Sequence, residues 1–334
     1  MKRALVIAVS MLLASVAFAD RPETVLTADG VLYAITADGD LPLLEVTQRS
    51  ATVSKIMIVP STEDFAYESC PRIAWDSVSK SLFVVWHRTD VDGDHLRMTT
   101  LSADGTWAEP ITIAVSPTAR QAGLQIALSH PATQSDASKA ATLLHLVWWT
   151  LTDGAPTPQY ALVGFEGSKY TSTDISNLQT LSGLRESGAE TGGETVPETL
   201  HPPLAIANTA APGEVEVVFG AQGTTALTRV RLTPKLVVGN ARLWKPSRGG
   251  AGSLPRAELT STTGSPVRSF ISNGRVVLYT PEEMFRYTVF DNNAWSPTRM
   301  IKLDDKLSSD DLLEELHKAV EEQETSNGNT PSDE

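Results

Sequence analysis

The sequence predicts an all-β chain folded as a β-propeller of about five four-stranded blades, with a short C-terminal helix. Three observations predict it: a hydrophobic phrase that recurs five times, the same order of β-rich runs around the copies, and turn dipeptides between those runs. The phrase is two aliphatic residues followed by an aromatic ring. It reads Val31-Leu32-Tyr33, Val84-Val85-Trp86, Leu146-Val147-Trp148, Val217-Val218-Phe219 and Val277-Leu278-Tyr279, with successive rings 53 to 71 residues apart. A repeat of that size suits one propeller blade.

A shorter run precedes four of the copies, in Arg72–Trp75, Gln125–Leu128, Leu204–Ala207 and Ser269–Ile271. A third run follows four of them, in Leu96–Leu101, Tyr160–Val163, Leu227–Leu232 and Phe285–Phe290, and a fourth is visible at Ile56–Val59, Ile111–Ile113 and Met300–Ile301. Asp29-Gly30, Asp38-Gly39, Asp104-Gly105, Asp153-Gly154 and Asn273-Gly274 fall between runs, where tight hairpins need positive φ. The central runs, such as Leu82–Trp86 and Leu143–Trp148, are apolar at consecutive positions, which predicts strands covered on both faces. A β-sandwich or a pair of β-domains is the alternative and would alternate more cleanly. An unmarked blade between Asn177 and Pro203 would raise the number from five to six.

Met1-Lys2-Arg3, an apolar run to Ala17 and the small-x-small triplet Ala17-Phe18-Ala19 predict a secretory signal peptide over residues 1–19, cleaved after Ala19. The chain is then expected outside the cytoplasm, secreted or periplasmic, with the propeller over 20–303. The apolar stretch is too short for a comfortable membrane span, and no second stretch of spanning length follows. Cys70 is the only cysteine, so no intramolecular disulfide is possible and stability must come from the core. The net charge of −13 argues against nucleic acid and anionic membranes as partners. Much of it is local: from Asp304 onward eleven carboxylates face Lys306 and Lys318, a net of −9.

The blade phrases resemble the sialidase-like propeller superfamily, in which an aliphatic pair ending in Trp is followed by a closing Trp-x-Pro or Trp-Ser-x-Pro phrase. The closing phrase stands here as Trp107-Ala108-Glu109-Pro110, Trp244-Lys245-Pro246 and Trp295-Ser296-Pro297. The resemblance spans about Glu23 to Leu303 and implies a propeller. Active members carry an arginine cluster, a Tyr with a Glu partner and an acid. None of these matches residues here, and Ser102–Trp107 lacks two spacer positions of an Asp-box, so the resemblance is to a non-catalytic member.

No catalytic residue, metal or cofactor is predicted. Asp76 reads as a strand-end turn former in preference to an axial acid of a five-bladed glycosidase. Asp90–Asp94 reads as a solvated hairpin in preference to a calcium loop. The six histidines lack zinc-site spacing, and His145, inside an apolar strand, reads as a hydrogen-bonded core residue. Four long connections, Ser61–Pro71, Ser116–Gly123, Asn177–Pro203 and Pro246–Pro266, open on one face of a propeller, and long loops tend to carry function. Of these, Gly183–Glu198 has the composition of a mobile segment. That face predicts a ligand site drawing on Arg72, His87, Arg88, Trp149, His201 and Arg268. The expected function is binding of carbohydrate or protein without catalysis; the alternative is a glycan-processing hydrolase.

At the C-terminus, Ser308 or Ser309 caps a predicted helix within 304–324, with Asp310 and Asp311 in its first turn. Leu312, Leu313, Leu316, Ala319 and Val320 form an apolar stripe that docks either on the propeller or on a partner. Residues 325–334 have the composition of a disordered tail.

Overall fold

Short β-branched and aromatic runs separated by tight turns pair with their immediate sequence neighbours, and the result is five antiparallel sheets taken in chain order. A computed structural model describes residues 23–37, 43–62, 66–116, 120–131, 141–152, 155–166, 169–182, 204–209, 211–220, 227–238, 242–255, 257, 259, 268–272, 275–280, 284–291 and 294–302. The first blade holds β1 (Glu23–Leu26), β2 (Leu32–Ala37), β3 (Leu44–Arg49) and β4 (Ser54–Ile58). The second holds β5 (Tyr67–Asp76), β6 (Ser81–Asp90), β7 (Gly93–Ser102) and β8 (Ile111–Ser116). In the third, β9 (Arg120–Ser129), β10 (Ala141–Thr152), β11 (Ala155–Glu166) and β12 (Lys169–Asn177) lead into a one-turn helix, α1 (Leu178–Ser182). The fourth has β13 (Leu204–Asn208), β14 (Val215–Gly220), β15 (Leu227–Val238) and β16 (Arg242–Ser253). The fifth has β17 (Arg268–Ser272), β18 (Arg275–Thr280), β19 (Met284–Asp291) and a split outer strand, β20 (Ala294–Trp295) and β21 (Arg299–Lys302), both paired to β19.

The first strand of each blade is innermost: β1 packs against β5, β5 against β9, β9 against β13 and β13 against β17. This is a five-bladed β-propeller. Because strands alternate in direction, the connections between blades and the turns between second and third strands emerge on one face, here the upper. The remaining hairpins emerge on the lower face.

Apolar clusters join successive blades and explain the doubly apolar central strands. Ile35, Leu44 and Val46 meet Leu82, Val84 and Trp86, while the alternate residues Phe83 and Val85 meet Leu144, Leu146 and Trp148. Leu143, Val147 and Trp149 then meet Val215, Val217 and Phe219, and Val218 meets Val276 and Leu278. Each such fully buried side chain contributes about 1.5–3 kcal/mol relative to exposure, offset by the entropy of ordering the chain.

The structure refines two expectations. The aromatic marker is equivalent in only three blades: Trp86, Trp148 and Phe219 face the preceding blade, whereas Tyr33 faces the following blade and Tyr279 lies on the sheet face opposite Val276 and Leu278. A slip of one residue reverses the face in a period of two, so a phrase can recur without its side chains recurring. Part of the expected long loops is strand. β5 begins at Tyr67, β9 at Arg120, and β16 carries Pro246 to Ser253 as an edge strand paired along β15. Pro and Gly are tolerated there because an outer strand need not donate on its free side.

The segments 1–19, 304–324 and 325–334, and residues 183–203 where a sixth blade was conceivable, lie outside the described residues. No helix among the described residues is long and apolar enough to cross a membrane.

Candidate functional site

On the upper face the inner strands of the first three blades are joined by one side chain. β5 bulges between Ser69 and Arg72, where Cys70 takes a φ of 50° and Pro71 has no N–H to give to the ladder. The bulge shifts the register before Arg72. Its Nε donates to the Leu124 carbonyl of β9 at 2.9 Å, its Nη1 donates to the Pro71 carbonyl at 2.9 Å, and Nη1 pairs with Glu23 Oε2 of β1 at 3.3 Å. The Arg72 side chain is still 23% exposed and Glu23 30%, so the pair is reachable from solvent.

On the same face stand the residues that follow the aromatic marker in the second, third and fifth blades. His87 is buried, and neither ring nitrogen has a hydrogen-bond partner among the described residues. Burial, helped by the positive charge of Arg72, pushes its pKa down to about 3, so the ring is neutral. Trp149 is buried, its indole N–H is likewise unpartnered, and its ring lies over Gly123. A Cβ on Gly123 would sit 2.9 Å from Trp149 Cδ1, and its φ of 66° disfavours any side chain. Thr280, after the marker of the fifth blade, also buries an unpartnered hydroxyl.

The other predicted residues fare differently. Arg88 is committed to a local network: Nη1 pairs with Glu68 Oε1 at 3.1 Å and donates to the Ser61 carbonyl, while Nε pairs with Asp90 Oδ2 at 3.1 Å. Asp90 also accepts from the Asp92 N–H and lies 3.0 Å from His95 Nε2. Burial opposes its ionisation, but those bonds and charges outweigh it and hold the carboxyl below its usual range. Asp90–Asp94 is thus a hairpin between β6 and β7. Arg268 occupies the first position of β17, paired with Tyr279. His201 lies outside the described residues.

Sequence reasoning missed three upper-face residues on inner strands: Glu23 on β1, and Tyr67 and Glu68 on β5. Tyr67 is 54% exposed, whereas Glu68 is buried beneath Arg88. The alternation of Tyr67-Glu68-Ser69 could have extended β5 backward, but the bulge at Cys70-Pro71 masks the period.

The lower face holds a cleft of about 190 Å3 between the third and fourth blades, lined by Ser129, His130, Asn208, Thr209 and Glu214 among others. Its polar groups are engaged in structure. Asp76 accepts from the Val78 N–H, Ser79 Oγ and, in the third blade, Thr142 Oγ1 at 2.6 Å, and lies 2.9 Å from His130 Nε2. Burial works against its ionisation, yet these partners prevail and its pKa is lowered. Asp76 therefore forms the turn expected of it and ties two blades together. His145 lies 2.7 Å from the Tyr160 hydroxyl and 2.6 Å from Ser129 Oγ, which donates to the Gly213 carbonyl at 3.3 Å. Every group is satisfied if Tyr160 donates to Nδ1 and Nε2–H donates to Ser129, an arrangement assigned from the network. Ser129 is then no free nucleophile. The polar groups of the cleft are taken up by structure, whereas the upper face has the reachable charged pair.

No protein-family model matches the chain, and no curated protein does. Among solved structures it is similar to an exo-β-1,3-galactanase from Phanerochaete chrysosporium, at 10% identity and a TM-score of 0.40, covering 84% of this chain and 62% of that one. It is also similar to a fucose-specific lectin from Aleuria aurantia, at 12% identity and a TM-score of 0.42 over 84% and 78% of the two chains. A β-xylosidase matches at 10% identity and a TM-score of 0.34 over 86% and 93%. At that similarity none of the three bears on what this chain binds, and the five-bladed architecture stands on its own strand pairing.

Proposed function

We propose that the protein is an exported carbohydrate-binding propeller whose site lies on the upper face, where β1, β5 and β9 meet. The observation that carries this reading is the Arg72–Glu23 pair, solvent-reachable and pinned between three inner strands. A guanidinium and a carboxylate held together donate and accept at once, which suits the paired hydroxyls of a sugar ring. Tyr67, exposed on the same strand and face, offers an apolar ring with a polar tip for the C–H side of a sugar. Because Glu23 offsets the charge of Arg72, and Arg88 is offset by Glu68 and Asp90, the chemistry favours neutral over acidic sugars.

A glycan array followed by calorimetry on the hits tests this. Tyr67→Ala is expected to weaken binding at least about tenfold, roughly 1.4 kcal/mol, with the melting temperature unchanged. Val78→Ser, in an exposed lower-face turn, is expected to leave it unaltered. Absence of any glycan ligand, or equal effects of the two substitutions, would refute the reading.

Hydrolysis is the second reading, and one observation favours it: Glu23 and Glu68 are carboxylates on adjacent inner strands. Against it, Glu68 is buried and already engaged by Arg88. Turnover of a bound glycan that is lost in Glu68→Gln would favour this second reading.

A further inference from the structure

The ring of blades has one seam that chain order does not close. Among the described residues every sheet is built from consecutive strands, and no described strand from one end of the chain completes the sheet of the other. Among the described residues, apolar clusters join the first blade to the second, the second to the third, the third to the fourth and the fourth to the fifth. The two faces left for the remaining seam are unlike. That of the fifth blade is buried at Val277, Tyr279, Tyr287 and Val289. That of the first blade carries Leu26 at 67%, Ile56 at 62% and Ile58 at 41% exposure.

These three residues share one sheet face. The register aligns Leu26 with Leu32 and Arg49 in one row, Ala34 with Thr47 and Ile56 in the next, and Thr36 with Glu45 and Ile58 in the third. Exposed aliphatic residues scattered singly are ordinary, but three on one face, bordered by half-buried Leu32 and Ala34, form an uncovered apolar sheet surface.

We propose that the C-terminal segment 304–324 is the occupant of this face and acts as a clasp between the last blade and the first. β21 ends at Lys302 as the outer strand of the fifth blade, on the upper face, and in a closed ring the next surface is that face of the first blade. Nine residues lie between Lys302 and Leu312, and the ten steps reach about 33 Å if extended. From Leu312 to Val320 an α-helix would span about 12 Å, matching the roughly 14 Å between β1 and β4 across a four-stranded sheet. The stripe of Leu312, Leu313, Leu316, Ala319 and Val320 supplies the apolar complement. The charge also fits: the segment is strongly acidic, and Arg49, exposed at the lower edge of the face in the row of Leu26 and Leu32, makes no ion pair among the described residues.

Cysteine pairing in the full chain tests this. In a Cys70→Ser background, Ile56→Cys combined with Leu316→Cys is expected to form an intramolecular disulfide under mild oxidation. The rate should be at least about tenfold above a control pairing Leu316→Cys with Val91→Cys in the exposed β6–β7 hairpin, because docking raises the local thiol concentration. Separately, Leu316→Asp is expected to accelerate amide exchange in β4 and to increase binding of an apolar dye. That increase should vanish when Ile56 and Ile58 are already serine. Disulfides only between two molecules would overturn the proposal in favour of a second copy on this face. Equal rates for both cysteine pairs, or unchanged exchange in β4, would overturn it outright.

Discussion

Acid should unfold this protein through two buried neutral histidines. His87 and His145 are both enclosed, and burial lowers each pKa from 6.5 to about 3, with Arg72 adding to the effect at His87. In the unfolded chain the same imidazoles titrate near 6.5. Between those values the unfolded state binds protons that the folded state refuses, so stability falls as pH falls. At about pH 5 an unfolded imidazole is almost fully protonated and the folded one almost fully neutral, which amounts to about 2 kcal/mol per histidine relative to about pH 7.5. The pair therefore predicts a loss of about 4 kcal/mol, a large share of the stability of an ordinary domain. Asp76 and Asp90 do not confuse this window. Their folded pKa values are lowered, so the stability they contribute persists above the ordinary carboxylate range and is lost only at more acid pH. Urea unfolding followed by tryptophan fluorescence at the two pH values measures the drop, and His87→Leu should halve it. A stability flat across this range, or an undiminished drop in the variant, would refute the burial of neutral rings.

Two further outcomes follow from particular contacts. Asp76→Asn keeps the shape but removes the charge that collects bonds from Ser79, Val78, Thr142 and His130, and should cost about 1.5–3 kcal/mol in chemical unfolding; a cost near zero would mean that the second and third blades are not tied through it. Gly123→Ala places a Cβ against Trp149 at a positive φ, and should destabilise by about 1–3 kcal/mol while shifting the tryptophan emission; an unchanged spectrum would show that the ring does not lie there.

The acid prediction also shows what kind of information the chain carries openly. His145 was recognisable as a bonded core residue because it interrupts an apolar run, and a polar group in such a place needs partners. The partners themselves, Ser129 sixteen residues away and Tyr160 fifteen away, are set by register across β9, β10 and β11 and could not be read in advance. Arg72 repeats the pattern. Its place near a blade start was visible, but its bond to Leu124, 52 residues on, follows from the bulge at Cys70-Pro71 and the meeting of inner strands.

Local order was therefore written in the residues. Doubly apolar runs, Asp-Gly turns and a phrase returning every 53 to 71 positions determined β-structure, hairpin order and a count of five or six units, because short-range sterics and alternation act between neighbours in sequence. Tertiary structure alone decided which face each ring turned to, that Arg72 meets Glu23, that Arg88 is consumed by Glu68 and Asp90, and that Leu26, Ile56 and Ile58 come together on one face of the first blade. Those outcomes depend on phase shifts of single residues and on contacts between distant blades, and a side-chain pattern of period two holds no record of either.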